Sequence, residues 1–342
     1  MFTTTRGKPD DKLIRSALSR WAFNTAKRDH KDAPAEVRAA LAWVERNTRP
    51  VSALMKPEVL RPMLDSLTVR LDGKPAASSV VSRRRKILNT AAEFAVERGL
   101  LPSNPLPALK WKAPKAVQVV DPRCVPNPIQ VRALLDGVRE QGRVGRRLVA
   151  FYGCLYYAGM RPEEAAHLNK RHLAIPKEGW GDIHLDGAQP YAGKEWTDSG
   201  QDRDQRQLKQ RERGESRTAP CPPELTALLH AHLDEFGTTP DGRLFVGDRN
   251  HDELPKLTVV RIWSRAREAA FTPEVVASPL AKRPYDLRHA AVSTWLNGGV
   301  PPTDVAEWAG QSVEVLFRIY AKCLDRGIQK NRQRVQSALG HG

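Results

Sequence analysis

The chain has 342 residues, enough for two domains of ordinary size, each with its own core. It carries 55 Lys and Arg against 39 Asp and Glu, a formal net charge of +16 and a pI near 9.9, which points to a polyanionic partner. Composition excludes a helical membrane span, since no apolar run approaches the roughly 20 residues required. It also argues against a zinc site or a secreted disulfide framework, because Cys124, Cys154, Cys221 and Cys323 are scattered without a C-x-x-C pair.

The opening MFTTTRGKPDDK lacks the apolar core of a signal peptide, so the expectation is a soluble, cytoplasmic protein. Residues from about 10 to 110 read as helices. Asp10-Asp11 leads a first segment through Leu13, Ala17 and Trp21. Pro34 opens a second through Val37, Leu41 and Val44, and Pro57 to Leu71 is a third. The fourth starts at Ser78-Ser79 and ends at Gly99, and Ile87, Ala91, Phe94 and Ala95 predict its inward stripe. One turn earlier stand Arg83, Arg84, Arg85 and Lys86, which read either as a solvated face or as a phosphate-contacting cluster. Residues 1–120 hold 23 basic and 11 acidic side chains, or +12, leaving +4 for the other 222. That imbalance favours the phosphate-contacting reading.

Next comes a Pro-rich, aperiodic, basic run containing Lys110, Lys112 and Lys115. Proline removes a backbone donor and disfavours helix in its predecessor, so an extended linker able to lie along DNA is expected, with the domain boundary between about 110 and 125. Asn127-Pro128 is a helix start. Gly145 to Ala158 is a second, largely apolar and buried helix that delivers Arg161. Residues 172–175 and 182–185 predict short strands, followed by a long charged insert and then Arg217-Thr218-Ala219-Pro220, together a small antiparallel sheet. Helices resume from Pro222 and from Leu257 to Ala270, with Leu244-Phe245-Val246 a short buried piece between them.

Two boxes stand out. The first is Ala158-Gly159-Met160-Arg161-Pro162-Glu163-Glu164-Ala165-Ala166-His167-Leu168. The second begins at Tyr285-Asp286-Leu287-Arg288-His289, with Gly310-Gln311 following 23 residues after Arg288 and Tyr320 nine residues after Gln311. A lone Arg-His pair or a lone helical tyrosine, normally a half-buried core aromatic, would carry no signal. The two boxes in this order resemble the signature of the tyrosine recombinase (phage-integrase) family, A-G-x-R-x-x-E-x-x-x-L followed by H-x-L-R-H, Gly-His and a tyrosine.

The resemblance implies a mainly α fold with a small antiparallel β-sheet, in a two-domain architecture that closes as a C-shaped clamp on double-stranded DNA. Residues 1–110 would be a helical core-binding domain, 111–125 a basic linker, and 126–342 the catalytic domain with a C-terminal helix for docking on a neighbouring protomer. It implies a site-specific recombinase or integrase that uses neither metal nor other cofactor. Tyr320 would be the nucleophile forming a 3′-phosphotyrosine, and Arg161 and Arg288 the phosphate clamps, for which a planar, permanently charged guanidinium is suited. A hairpin lysine would protonate the leaving 5′-oxygen. Lys209 matches that place best, and Lys194 is second. Strands would exchange through a Holliday junction in a homotetramer at the nucleoid, with an accessory factor setting direction. Glu164 would orient an arginine, and His289 would pack against its helix.

Two positions depart from the pattern. Tyr285 and Gln311 stand where the family has histidines, and neither can shuttle a proton as histidine does, although each can bond a phosphate oxygen. Those departures leave open a DNA-binding regulator that does not cut. A relaxing, type IB-like topoisomerase is the other alternative.

Overall fold

A computed structural model describes residues 2–24, 27, 32–112, 114, 119–197, 199–209, 212, 214–247, 253–323 and 328–340. The chain divides into two compact units, Met1–Gln118 and Val119–Gly342.

The smaller unit is helical: α1 (Asp11–Ala17), α2 (Ala35–Asn47), α3 (Pro57–Ser66) and α4 (Ser78–Glu97). Asp10 caps α1 by accepting from the Lys12 backbone N–H at 2.8 Å, satisfying a donor that has no partner within the helix. The third helix is shorter than its apolar pattern predicts. After Ser66 the chain turns, and the Ser66 and Thr68 hydroxyls donate to the Met63 and Asp65 carbonyls, giving the last turn an alternative to further helix. The inward face of α4 also differs from expectation. Val81, Ala92 and Ala95 are buried with Leu88 packed beside them, whereas Ile87 and Phe94 are exposed. A core of Leu60, Leu64, Ala92 and Leu106 closes the unit, and Trp111 donates from Nε1 to Asp65 at 2.8 Å.

The larger unit runs α5 (Pro128–Arg139), α6 (Gly142–Tyr157), α7 (Pro162–Ala166), β1 (Leu173–Ala174), β2 (Gly181–Leu185), β3 (Arg217–Cys221), α8 (Pro223–Phe236), α9 (Lys256–Ala270), α10 (Pro273–Ala277), α11 (Asp286–Gly298), α12 (Pro302–Ala309), α13 (Val313–Tyr320) and α14 (Ile328–Ala338). Asn127 and Gln130 cap α5 reciprocally, each side chain accepting from the other's backbone N–H at 2.9 Å. Helix α6 is buried along most of its length by Leu148, Phe151, Tyr152, Cys154 and Leu155, and packs on α5, α8 and α11. The expected sheet is antiparallel in the order β1-β2-β3, with Leu173 opposite Ile183 and Ile183 opposite Ala219. A second core of Val292, Val305, Ala306, Ala309, Leu316 and Tyr320 joins α11, α12 and α13. Among the described residues, no helix is long and apolar enough to cross a membrane.

Candidate active site

The site is assembled at the C-terminal end of α12. A helix leaves its last carbonyls without partners inside the helix, and its dipole makes that end partially negative. Three arginines from three other elements fill it. Arg217 donates to Trp308 O, Arg288 to Ala309 O at 2.5 Å, and Arg161 to Gly310 O at 2.7 Å. Gly310 is left-handed at φ +58°, and a Cβ there would lie 2.9 Å from Arg217 Nε, so conformation and space both demand glycine.

Glu164 ties the arginines together. It is 1% exposed and takes Arg161 at 2.7 Å and Arg217 at 2.5 Å on its two carboxylate oxygens, while also accepting the Arg161 backbone N–H at 2.8 Å. Burial alone would raise its pKa, but Arg217, Arg161 and Arg288 outweigh it and hold the carboxyl down to about 2. Burial lowers Arg217 to about 10 against the pull of Glu164, so it stays charged. For Arg161, Glu164 overcomes burial and holds the guanidinium above its ordinary value. Arg288 also donates to Gly159 O. Gly159 itself is left-handed (φ +56°), with Trp295 of α11 where a Cβ would be.

Arg161 and Arg217 thus share the buried Glu164 carboxylate while Arg288 bonds the Gly159 and Ala309 carbonyls, an excess of positive charge that a further anion would balance. Three buried donors also have no hydrogen-bond partner among the described residues: Arg217 Nε, Arg288 Nε and Gln311 Nε2. Gln311 follows Gly310 directly in the chain.

Tyr320 is the last residue of α13, and it is only 2% exposed. Its hydroxyl lies 2.9 Å from His289 Nδ1. Burial pushes the phenol well above its ordinary pKa, with Arg288 and Arg161 opposing. His289 does more than pack on its helix. Its ring lies between those of Tyr285 and Tyr320, with centroids 5.0 and 5.6 Å away. Burial, with Arg283 and Arg288 adding and Asp286 opposing, lowers it to about 4.

Lys209 lines a cavity of about 630 Å³ together with Arg161, Glu164 and Arg206. Lys194 lines a different one, of about 920 Å³, with Arg147, Arg243 and Arg261. Of the basic residues in the smaller unit, Arg83, Lys86, Lys110 and Lys112 are exposed and Arg85 is half-buried. Arg84 departs from its companions, since it donates to the Leu67 and Val69 carbonyls at 2.8 and 3.0 Å. Lys115 lies outside the described residues.

Arg217 is the site residue that sequence reasoning passed over. A signal existed: it shares the inward phase of β3 with Ala219 and Cys221, and an arginine at such a position needs a buried partner. Elsewhere, His167, His172 and Asp186 lie together. The Asn169 backbone N–H donates to His172 Nδ1 at 3.1 Å, and His172 Nε2 lies 3.1 Å from Asp186 and 3.3 Å from Arg171 Nε. His167 Nε2 lies 3.2 Å from the same carboxylate, so the group forms a hydrogen-bonded cluster.

No protein-family model matches the chain, and no curated protein matches it. Solved structures do. The Tn1549 transposon integrase in complex with a circular intermediate DNA superposes with a TM-score of 0.60 at 12% identity, over 94% of this chain and 99% of that one. The lambda integrase dimer bound to a core site gives 0.55 at 15% identity, over 92% and 96%. The XerH site-specific recombinase bound to its difH substrate gives 0.54 at 13% identity, over 89% and 76%. The chain therefore has the fold of the tyrosine recombinases.

Proposed function

We propose that this chain, built on the tyrosine recombinase fold, is a site-specific DNA recombinase of integrase type. The observation that carries the reading is the meeting of Arg161, Arg217 and Arg288 at the end of α12, with Glu164 binding Arg161 and Arg217.

In this mechanism the scissile phosphate supplies the missing negative charge. Arg161 and Arg288 bind its non-bridging oxygens, drawing on N–H groups now turned to carbonyls and on the unpartnered Arg288 Nε, and the Gln311 amide adds a donor. Preorganised cations of this kind are normally the largest contribution to phosphoryl transfer. Arg217 and Glu164 lock the clamp, since each is held on two sides. The Tyr320 oxygen attacks phosphorus, and Lys209, which lines one cavity with Arg161, protonates the departing 5′-oxygen. The product is a 3′-phosphotyrosine, whose bond energy is retained for strand exchange through a Holliday junction in a tetramer. Because the phenol is covered in the free chain, cleavage entails its uncovering as DNA binds. Residues 1–110, with Arg83, Arg85, Lys86 and the linker lysines, contribute the sequence-independent phosphate contacts.

The test uses a nicked suicide substrate made from DNA flanking the gene. A covalent protein–DNA adduct that vanishes in Tyr320→Phe is expected. Specific binding without any adduct would instead assign the chain as a regulator that does not cut.

A further inference from the structure

We propose that His289 is the general base of strand cleavage, taking the Tyr320 phenolic proton as that oxygen attacks phosphorus. The inference rests on the recombinase reading above and names a group that neither sequence box assigned to the chemistry.

Geometry carries it. The His289 Nδ1–Tyr320 Oη separation is 2.9 Å, inside the range over which a positioned base removes a proton. The phenol has a proton to donate and no other partner is shown for its oxygen among the described residues, so Nδ1 is the acceptor and Nε2 carries the ring proton. The titratable and charged groups around the imidazole are Asp286 and Arg288 on α11, Arg283 and Tyr285 just before it, and Tyr320 on α13. None of the others can serve. The two guanidiniums are permanently charged, and Asp286 is engaged by Arg283 at 2.8 Å. Tyr285 stands one helical turn before His289 and offers only a second phenol.

Electrostatics supports the assignment. Burial and the neighbouring guanidiniums keep the imidazole neutral in the free chain, the form able to accept a proton. A phosphate seated on Arg288 would offset part of that positive field. The basicity of His289 would then rise at the moment the proton must move, and the free enzyme would not ionise its tyrosine prematurely.

The step balances. The Tyr320 oxygen forms a bond to phosphorus while its proton passes to His289 Nδ1. The phosphorus–O5′ bond breaks, and the 5′-oxygen takes a proton from Lys209. In rejoining, a 5′-hydroxyl attacks, its proton returns to Lys209, and Tyr320 leaves with the proton held by His289.

The experiment measures single-turnover adduct formation on the suicide substrate from pH 4 to 8, for wild type, His289→Gln and His289→Ala, with site binding measured alongside. Wild type should lose rate on the acid side as His289 protonates. His289→Gln should bind the site normally, form adduct roughly 100-fold or more slowly, and lack that acid limb. Added imidazole should restore part of the His289→Ala rate. Wild-type rates in either variant would overturn the assignment. So would slowing in both variants with the acid limb retained and no rescue by imidazole, which is the outcome of a merely structural hydrogen bond. A flat wild-type profile would overturn it without any variant. A wild type that forms no adduct removes the recombinase reading itself, and this inference with it.

Discussion

Replacing Glu164 by glutamine tests the electrostatic core of the site most directly. The side chain keeps its shape and loses only its charge, leaving Arg161 and Arg217 buried without their shared counterion. The depression of the carboxyl from the usual 4.5 to about 2 corresponds to about 3 kcal/mol in favour of the ionised form. Breaking a buried pair on one side generally costs about 3–5 kcal/mol, so the two routes agree. For a unit of this size each kcal/mol moves Tm by about 2–4 °C, and the transition of the larger unit should fall by about 6–12 °C in calorimetry of the full chain. The pH dependence follows from the sign of the shift. Because the folded pKa is depressed, the contribution is present above about 4.5 and lost as pH falls through about 2. The deficit of the variant should therefore shrink as pH falls through that window. A Tm within about 2 °C of wild type at pH 7 would refute the view that this carboxylate holds the arginines in place.

Other outcomes follow from the same geometry. Lys209→Ala should slow adduct formation roughly 100-fold while Lys194→Ala leaves it near wild type, and the reverse result would move the acid to the other cavity. Arg161→Ala and Arg288→Ala should each abolish cleavage while leaving site binding largely intact in a gel-shift assay, and equal loss of both would contradict the clamp role. Gly310→Ala meets Arg217 in a left-handed backbone and should cost about 1–3 kcal/mol in denaturant unfolding. His289, lowered from 6.5 to about 4, binds fewer protons folded than unfolded. Wild type should thus lose stability between those values as pH falls, and His289→Gln should lose less.

How far the site was legible depended on how local each relation is. Arg161, Arg288 and Tyr320 were recognisable because the intervals between the turns that carry them are written along the chain. The Gly310 break was recognisable because glycine there marks a change of backbone hand. Arg217 and His289 were not assigned. Their partners, Glu164 and Tyr320, lie 53 and 31 residues away, and no interval says that two such groups meet. The choice between Lys209 and Lys194 was open because the charged insert has no periodicity to set its register.

The α4 misreading has a similar origin. Ile87, Ala91, Phe94 and Ala95 make one acceptable helical stripe, and Val81, Leu88, Ala92 and Ala95 make another. Helical spacing ranks neither, since which face is dry depends on what Leu60, Leu64 and Leu106 cover.

By itself the sequence determined the order of the elements, the basic first unit, and the residue types able to hold and attack a phosphodiester, because periodicity, capping and turn chemistry act over a few residues. Only the tertiary structure decided that three guanidiniums meet at the end of α12, two of them on one carboxylate, and that the imidazole of residue 289 touches the phenol of residue 320. Those contacts are set by packing among α6, α11, α12, α13 and β3, where burial multiplies the strength of every charge.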